Sequence, residues 1–313
     1  GEVGALLGPS GCGKTTTLRL IAGLDRGEGT IVIDGMPVSG AGRAVPPESR
    51  GVGLVFQDSV LFPHLDVAGN VAYGVRGRER DAAAQRMLAL LGIGHLAGRR
   101  PHEISGGEQQ RTALARTLAT APALVLLDEP FAHLDASLRE HVRDEMLAAL
   151  RRTGTSALLV THDQAEALAI ADRVIVMNAG RVCQHGTPEE VYRHPVDRFT
   201  AAFIGRGVLV PARVSGLGTA ATALGEIAVA PQTPAGERLA GLRPESLEFM
   251  DAGTGTPGRV VRSWFRGADR LLRVELADGT QVEVAHRDGP AVGERVSVAV
   301  RGEVATVPAD AAG

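Results

Sequence analysis

Short apolar runs alternate with segments of helical periodicity along residues 1–205. The runs "EVGALLG" (2–8), "ALVLLDEP" (123–130) and "ALLV" (157–160) have the length and composition of buried strands. The segment "TTTLRLIAGL" repeats apolar residues at helical spacing, with Leu18, Ile21 and Ala22 on one side, and "EQQRTALARTLAT" (108–120) also reads as a helix. This alternation predicts an α/β domain.

A helical stretch interrupts the strand pattern at about residues 64–104. Its clearest part, "RDAAAQRMLALLGI", places Met87, Leu88 and Leu91 on one apolar stripe. Two hairpins are also predicted within 1–205, in "GTIVIDGMPV" with Gly35 at the turn and in "RVIVMNAGRVCQHG" (173–186). The first domain therefore combines an α/β core with an inserted helical subdomain.

The pattern changes after about residue 206, where short runs rich in Val, Gly, Pro and Thr replace the helices. The segment "RVELADGTQVEVA" alternates apolar and polar residues around Asp278-Gly279, which is a strong hairpin signal. We predict a small all-β barrel over residues 206–313.

Composition and charge exclude several function classes. The net charge is −3 and aromatic residues make up only 3%, with no basic stripe with interleaved aromatics, so we expect no nucleic-acid partner. Two cysteines are too few for a disulfide framework and fit a reducing compartment. No apolar run is long enough to span a membrane, and no signal peptide is recognisable. The chain starts inside a strand without Met, so we expect a fragment lacking its true N-terminus.

The first candidate site is the phosphate-loop pattern G-x-x-x-x-G-K-[ST], formed here by Gly8, Gly13, Lys14 and Thr15. A glycine-rich turn between a strand and a helix turns backbone N–H groups toward an anion. Lys14 is the chain's one lysine among 33 basic residues, and a compact ammonium reaches between phosphates where a planar guanidinium does not fit. The predicted nucleotide-binding residues here are Gly8, Pro9, Ser10, Gly11, Cys12, Gly13, Lys14, Thr15 and Thr16, and Thr15 would also reach Mg²⁺.

Two carboxylates end the strand "ALVLLDEP". Asp128 is placed to hold Mg²⁺ through water, and Glu129 would polarise the water that attacks the phosphate. Together with the phosphate loop they predict a P-loop NTPase.

The segment "ISGGEQQR" supplies a second helix N-terminus with a small-residue lead-in, Ser105, Gly106 and Gly107. A single bound nucleotide is not expected to use two such anion sites of the same chain. Two chains arranged head to tail could each contribute one half of a shared site.

At this point the chain resembles the ATP-binding subunits of ABC transporters. "ISGGEQQR" is similar to that family's LSGGQ signature, with Ile104 for Leu and Glu108 for Gln. "VFQDSVLFPH" resembles the Q-loop, with Gln57; "FAHLD" resembles the D-loop, with Asp135; "LLVTHDQAEA" resembles the switch region, with His162. The D-loop departs from the usual SALD at Ala132 and His133.

The resemblance implies an ATPase that uses ATP and Mg²⁺. It implies that Gln57 touches Mg²⁺ or the water, that His162 contacts the γ-phosphate, and that Asp135 lies at the nucleotide. It further implies a head-to-tail dimer of two copies, two permease subunits docked on the helical subdomain, an indirect solute-binding protein, and a place on the cytoplasmic face of the inner membrane. An aromatic residue that stacks on adenine would lie before Gly1.

The transported substrate is suggested by similarity to ferric-iron importers, carried by segments such as "GRRPHEISGGEQQR" and "AAFIGRGVLVPA". The segment "GLRPESLEF" resembles part of the OB-like accessory domain of import ATPases. Polyamine, sulfate, phosphonate and sugar importers remain open as alternatives. Two further alternatives are an ABC ATPase without a transporter, and a β-barrel nucleic-acid or ligand-sensing module with a degenerate ATPase.

Overall fold

The computed structural model describes residues 1–40, 42–56, 60–132, 134–205, 207–251 and 253–309, without the side chains of residues 136 and 137. Gln57 and His133 lie outside the described residues. The chain divides into two compact units, residues 1–188 and 189–313. The boundary between our two predicted domains, at 205/206, lies further along the chain and stays a prediction.

The first unit is an α/β structure. Its strands are β1 (Val3–Leu7), β2 (Ile31–Ile33), β3 (Met36–Gly40), β4 (Arg43–Ala44), β5 (Val52–Val55), β6 (Leu124–Asp128), β7 (Ser156–Val160), β8 (Arg173–Asn178) and β9 (Arg181–Gly186). Its helices are α1 (Lys14–Ala22), α2 (Val67–Ala72), α3 (Arg80–Leu90), α4 (Gly106–Leu118), α5 (Ala136–Thr153) and α6 (Gln164–Ile170), with α7 (Pro188–Arg193) at the junction of the units. Short 3-10 helices lie at Pro47–Ser49, Gly94–Leu96 and Pro101–Glu103.

The main sheet has the order β5-β6-β7-β1-β8-β9, in which only β9 pairs antiparallel to its neighbour. Both faces are covered: Val125 and Leu127 of β6 join the core with α2–α5, whereas Leu126 packs in the core with Leu18 of α1. This two-sided burial explains why β6 reads as a continuous apolar run rather than an alternating one. Because the parallel strands end at the same edge, the residues that follow β1, β6 and β7 meet there.

The predicted local elements of this unit are confirmed. Both hairpin turns have positive φ at their two central residues, 48° and 73° at Asp34-Gly35 and 45° and 79° at Ala179-Gly180, as a type I′ turn requires. A third strand, β4, extends the first hairpin into a small sheet of order β2-β3-β4. The segment predicted as helical, about 64–104, contains α2 and α3. Within the described ranges, no helix combines the length and apolar character needed to cross a membrane.

The second unit is all-β apart from α7, α8 (Arg198–Phe203) and a 3-10 helix at Pro244–Ser246. Its strands are β10 (Val208–Val214), β11 (Thr219–Thr222), β12 (Gly225–Val229), β13 (Gly236–Leu242), β14 (Leu247–Met250), β15 (Thr256–Phe265), β16 (Arg270–Leu276), β17 (Gln281–His286), β18 (Arg295–Val300), β19 (Glu303–Val304) and β20 (Thr306–Pro308). They form two sheets, of order β19-β12-β11-β10-β13-β20 and β14-β18-β15-β16-β17.

One hydrophobic core is shared by these two sheets, with Val210 and Leu242 from the first and Val260 and Leu272 from the second. The hairpin predicted around Asp278-Gly279 is present between β16 and β17, and Glu275 pairs with Gln281 next to its loop. The predicted all-β character of this part of the chain is therefore confirmed.

Candidate nucleotide site

The phosphate loop lies between β1 and α1 and has a backbone that side chains would obstruct. Gly11 and Gly13 have φ of 79° and 103°, conformations that glycine adopts without strain. A Cβ added at Gly8 would lie 2.4 Å from the carbonyl oxygen of Met177 and 2.5 Å from Cys12 Sγ. The loop is thus a cradle of backbone groups, which is the arrangement that binds phosphate at a helix N-terminus.

Lys14 is held against this loop rather than extended into solvent. Its side chain is buried, and Nζ donates hydrogen bonds to the carbonyl oxygens of Gly8 at 2.7 Å and Pro9 at 3.0 Å. A charged ammonium at this depth is costly unless it is hydrogen-bonded. These two bonds place the cation where the loop's N–H groups would meet a phosphate.

The two residues predicted to hold Mg²⁺ within the described residues, Thr15 and Asp128, lie close together, since the Thr15 side chain acts on the pKa of the Asp128 carboxyl. Burial raises the pKa of Asp128 and the Glu129 charge adds to this, whereas the Thr15 side chain and the Lys14 charge lower it. A hydroxyl and a carboxylate are the hard oxygen donors that Mg²⁺ prefers, so these residues fit the ion.

Glu129 and His162 form a pair at the same sheet edge. His162 Nδ1 lies 3.1 Å from Glu129 Oε2, with the His162 side chain largely exposed. Glu129 has a φ of 44°, and its N–H donates to the carbonyl of Val160 at 2.9 Å. A non-glycine residue in the left-handed region costs about 1–2 kcal/mol, and such strain clusters at functional sites.

Hydrogen bonds among Thr161, Asp163 and Glu166 fix the segment around His162. Thr161 Oγ1 donates to Glu166 Oε2 at 2.6 Å and accepts from the Asp163 N–H at 3.0 Å. Asp163 caps α6, because its Oδ1 accepts from the Glu166 N–H at 3.1 Å. One signal was available: Glu166 shares the buried side of α6 with Ile170, where a carboxylate is unexpected unless it has partners.

The signature segment, Ser105 to Gly107, lies at the start of α4 and packs against α5. Ser105 caps α4, and its backbone N–H donates to Glu108 Oε2 at 2.7 Å while its hydroxyl accepts weakly, at 3.4 Å, from the Glu108 N–H. A Cβ on Gly107 would lie 3.0 Å from Val142 Cγ2 and 3.1 Å from Leu138 Cδ2. These contacts are with α4 and α5, and none of their partners belongs to the phosphate loop.

The predicted site residues therefore fall into two groups. Lys14, Thr15, Asp128, Glu129 and His162 gather at one sheet edge, whereas Ser105, Gly106 and Gly107 begin a separate helix. Asp135 is exposed at the first position before α5 and makes no side-chain cap bond there. Gln57 lies outside the described residues.

Comparisons with known proteins decide the family. The ABC transporter family model matches residues 1–132, and the TOBE domain model matches residues 240–307. The Fe(3+) ions import ATP-binding protein of Rhodococcus jostii is 46% identical over 100% of this chain and 88% of its own length. The chain belongs to the ATP-binding subunits of ABC importers.

One further sequence relative and one solved structure are also similar to this importer subunit. The sulfate/thiosulfate import ATP-binding protein of Chromobacterium violaceum is 48% identical over 88% of this chain and 76% of its own length. A solved dimeric ATP-binding cassette, in a post-hydrolysis state bound to ADP and Pi, is 30% identical, covers 60% of this chain and 85% of its own, and has a TM-score of 0.51. This importer subunit is an ATP-binding ATPase with a P-loop core and a C-terminal OB-like TOBE domain, so the predicted fold class, enzyme class and family resemblance are confirmed.

Proposed function

We propose that this subunit hydrolyses Mg-ATP to drive the import of ferric iron. Resemblance to Fe(3+) import proteins across the whole chain supports the substrate. The observation that carries the chemistry is the pair of Glu129 and His162, 3.1 Å apart, at the sheet edge that also holds Lys14.

In the proposed mechanism each residue has a distinct task. The backbone of Gly8–Thr16 and the ammonium of Lys14 bind the phosphates, and Thr15 and Asp128 hold Mg²⁺. The metal, when bound, offsets charge that develops on the phosphates. Glu129 accepts a proton from the attacking water. His162 aligns the Glu129 carboxylate with the γ-phosphate.

The proposed partners follow from the separation of the two groups of residues. Ser105, Gly106 and Gly107 would bind the nucleotide held by a second copy, with Asp135 near that junction, and Gln57 would report nucleotide state to the membrane. The dimeric ADP-bound relative supports a pair of copies. We place the dimer on the cytoplasmic face of the membrane, docked through the α2–α3 region to two permease subunits that receive iron from a solute-binding protein.

The role of Glu129 is tested by Glu129→Gln, which keeps the shape of the side chain but removes its basicity. Turnover should fall by about 10²-fold or more while ATP affinity is retained. Glu140→Gln, an exposed position on α5, is the matched control and should behave as wild type. Wild-type turnover in Glu129→Gln would remove this residue from the mechanism.

A second substrate has a specific observation in its favour, since the sulfate/thiosulfate relative is slightly more identical over a shorter span. The subunit reconstituted with its permease can be assayed for ATP hydrolysis with a binding protein loaded with ferric ion, loaded with sulfate, or empty. Stimulation by the ferric form alone is expected. Stimulation by the sulfate form alone would discard iron and retain the importer, and stimulation by neither would contradict both substrates.

A further inference from the structure

A small cavity of about 40 Å³ lies next to the proposed catalytic pair. Its lining includes Glu129 and His162 themselves, together with Arg139 from α5 and Glu166 from α6. It therefore joins the segment after β6, the start of α5 and the segment around His162. The proposed mechanism has so far assigned no task to Arg139 or Glu166.

Two buried polar atoms in this lining have no hydrogen-bond partner among the described residues. One is a donor, Arg139 Nε, and the other is an acceptor, Glu166 Oε1. Glu166 is only 8% exposed, and burial raises the pKa of its carboxyl while the charges of Arg139 and Arg143 oppose this. Buried polar groups left unpaired are costly, so an unpaired donor and an unpaired acceptor on two residues that line one cavity point to a bridging ligand.

Water has the size and chemistry to be that ligand. A water molecule needs roughly 10–15 Å³ of accessible space and two to four polar partners. The cavity volume exceeds this, and two of its lining residues carry the unpaired atoms Arg139 Nε and Glu166 Oε1. The Arg139 Nε–H can donate to the water oxygen, and the water can donate to Glu166 Oε1. Such a bridge satisfies both atoms without a direct contact between the side chains.

The remaining bonds of the two side chains connect this bridge to both catalytic segments. Arg139 Nη2 donates to the carbonyl of Leu134 at 3.3 Å, and its Nη1 lies 4.0 Å from Asp163 Oδ2. Glu166 Oε2 accepts from Thr161, whose hydroxyl in turn accepts from the Asp163 N–H. His162 lies between Thr161 and Asp163, so both of its backbone neighbours are tied to Glu166.

We propose that the cavity binds an ordered water between Arg139 and Glu166, and that this bridge makes both side chains positioning residues that hold His162 against Glu129. The proposal rests on the proposed roles of Glu129 and His162. Its occupant is a structural water, and neither Arg139 nor Glu166 contacts the nucleotide in this scheme.

Steady-state ATP hydrolysis by the full chain tests the positioning role. Arg139→Met and Glu166→Leu remove one end of the bridge each, and kcat should fall by about 10- to 100-fold, as for a small misplacement of a catalytic group. KM for ATP should stay within about twofold, because the phosphates are held by the phosphate loop. Glu166→Gln retains an acceptor of the same shape and should recover most of the activity. The double variant Arg139→Met/Glu166→Leu should be no slower than the slower single variant, since both act through one bridge.

Arg143→Met is the matched control, because Arg143 lies one turn further along α5 and also acts on the Glu166 charge, yet is not part of the cavity lining. It should keep wild-type kcat. Wild-type kcat in both Arg139→Met and Glu166→Leu, with His162→Ala inactive, would overturn the positioning role alone. An active His162→Ala would instead overturn the proposed function.

A crystal structure of the full chain tests the water directly and does not depend on activity or on the folding of any variant. Density for a water within hydrogen-bond distance of both Arg139 Nε and Glu166 Oε1 is expected. A direct Arg139–Glu166 ion pair, or an apolar side chain filling the cavity, would overturn the proposal.

Discussion

The N-termini of α1 and α4 are both predicted anion sites, yet they are built in opposite ways. Helix α1 begins after Gly13, which provides no side-chain cap, and its first turn contains no acidic residue. Helix α4 begins after Ser105, which forms a reciprocal capping box with Glu108. The first helix end leaves its N–H groups for an outside partner, whereas the second satisfies part of its own with side chains.

This difference indicates how each end can take part in binding nucleotide. An uncapped helix end with a lysine beside it favours an anion by itself. At α4 the Glu108 carboxylate already accepts from the Ser105 N–H and hydroxyl, so a phosphate brought to this helix end would compete with a negative charge. In the proposed arrangement, the α1 end would supply most of the affinity for ATP, and α4 would contribute when a second copy brings its nucleotide.

The largest effect is expected from Lys14→Arg at the uncapped N-terminus of α1. The guanidinium keeps the charge but cannot repeat the two bonds to the carbonyls of Gly8 and Pro9 in the same space. We expect kcat/KM for ATP to fall by about 10²–10³-fold, the size of losing one group that stabilises the transition state. The reverse swap Arg19→Lys, at an exposed position of the same helix, should leave kcat/KM unchanged. Normal turnover in Lys14→Arg would show that charge alone suffices.

The next largest effect is expected for Gly107→Ala. This substitution tests whether glycine is needed here for the packing of α4 against α5. Its new Cβ would press on Val142 Cγ2 at 3.0 Å, and Val142 is fully buried and stiff at χ1. Overpacking should lower the free energy of unfolding by about 1–3 kcal/mol, measured by urea denaturation. Gly106→Ala is the matched control, since its nearest neighbour is 3.9 Å away. Equal stability of the two variants would contradict a packing role for Gly107.

Ser105→Ala removes one half of the capping box and should cost about 1 kcal/mol of stability. The same substitution at Ser49, which ends a 3-10 helix without such a cap role, serves as the comparison. Thermal melting of the two variants measures the difference. If they melt together, the contact between Ser105 and Glu108 does not stabilise the folded chain.

Sequence patterns could predict the elements whose geometry is decided by neighbouring residues. The turn at Asp34-Gly35 is one example, because glycine and a short polar residue are what a type I′ turn requires. The positive φ of Glu129 could not be predicted in this way, since nothing local favours it and the bond to Val160 of another strand holds it. The close approach of Gly107 to α5 and the shared cavity of Arg139 and Glu166 likewise depend on tertiary packing. Motifs in the sequence therefore predicted the site residues, while the contacts that position these residues required the structure.

The smallest expected effect is that of Glu108→Gln. This substitution directly tests the difference between the N-termini of α1 and α4. The hydrogen bond from the Ser105 N–H holds the pKa of the Glu108 carboxyl below its usual value, so the folded state binds this proton less readily than the unfolded state. The stability that this carboxylate adds is present above the unfolded pKa of about 4.3 and is lost as the pH falls through the lower folded value. Melting temperature followed from pH 7 to pH 3 should therefore drop less steeply in Glu108→Gln than in the wild type.

The same substitution should also affect the competition at the helix end. Because glutamine can still accept the Ser105 N–H but carries no charge, a phosphate brought to α4 meets less repulsion, by about 0.3–1 kcal/mol. ATP-dependent dimerisation, followed by light scattering on a Glu129→Gln background to slow turnover, should tighten a few-fold. Glu103→Gln, in the 3-10 helix just before Ser105, is the control for a general loss of negative charge. Weaker dimerisation in Glu108→Gln would mean that the carboxylate assists the second anion site rather than competing for it.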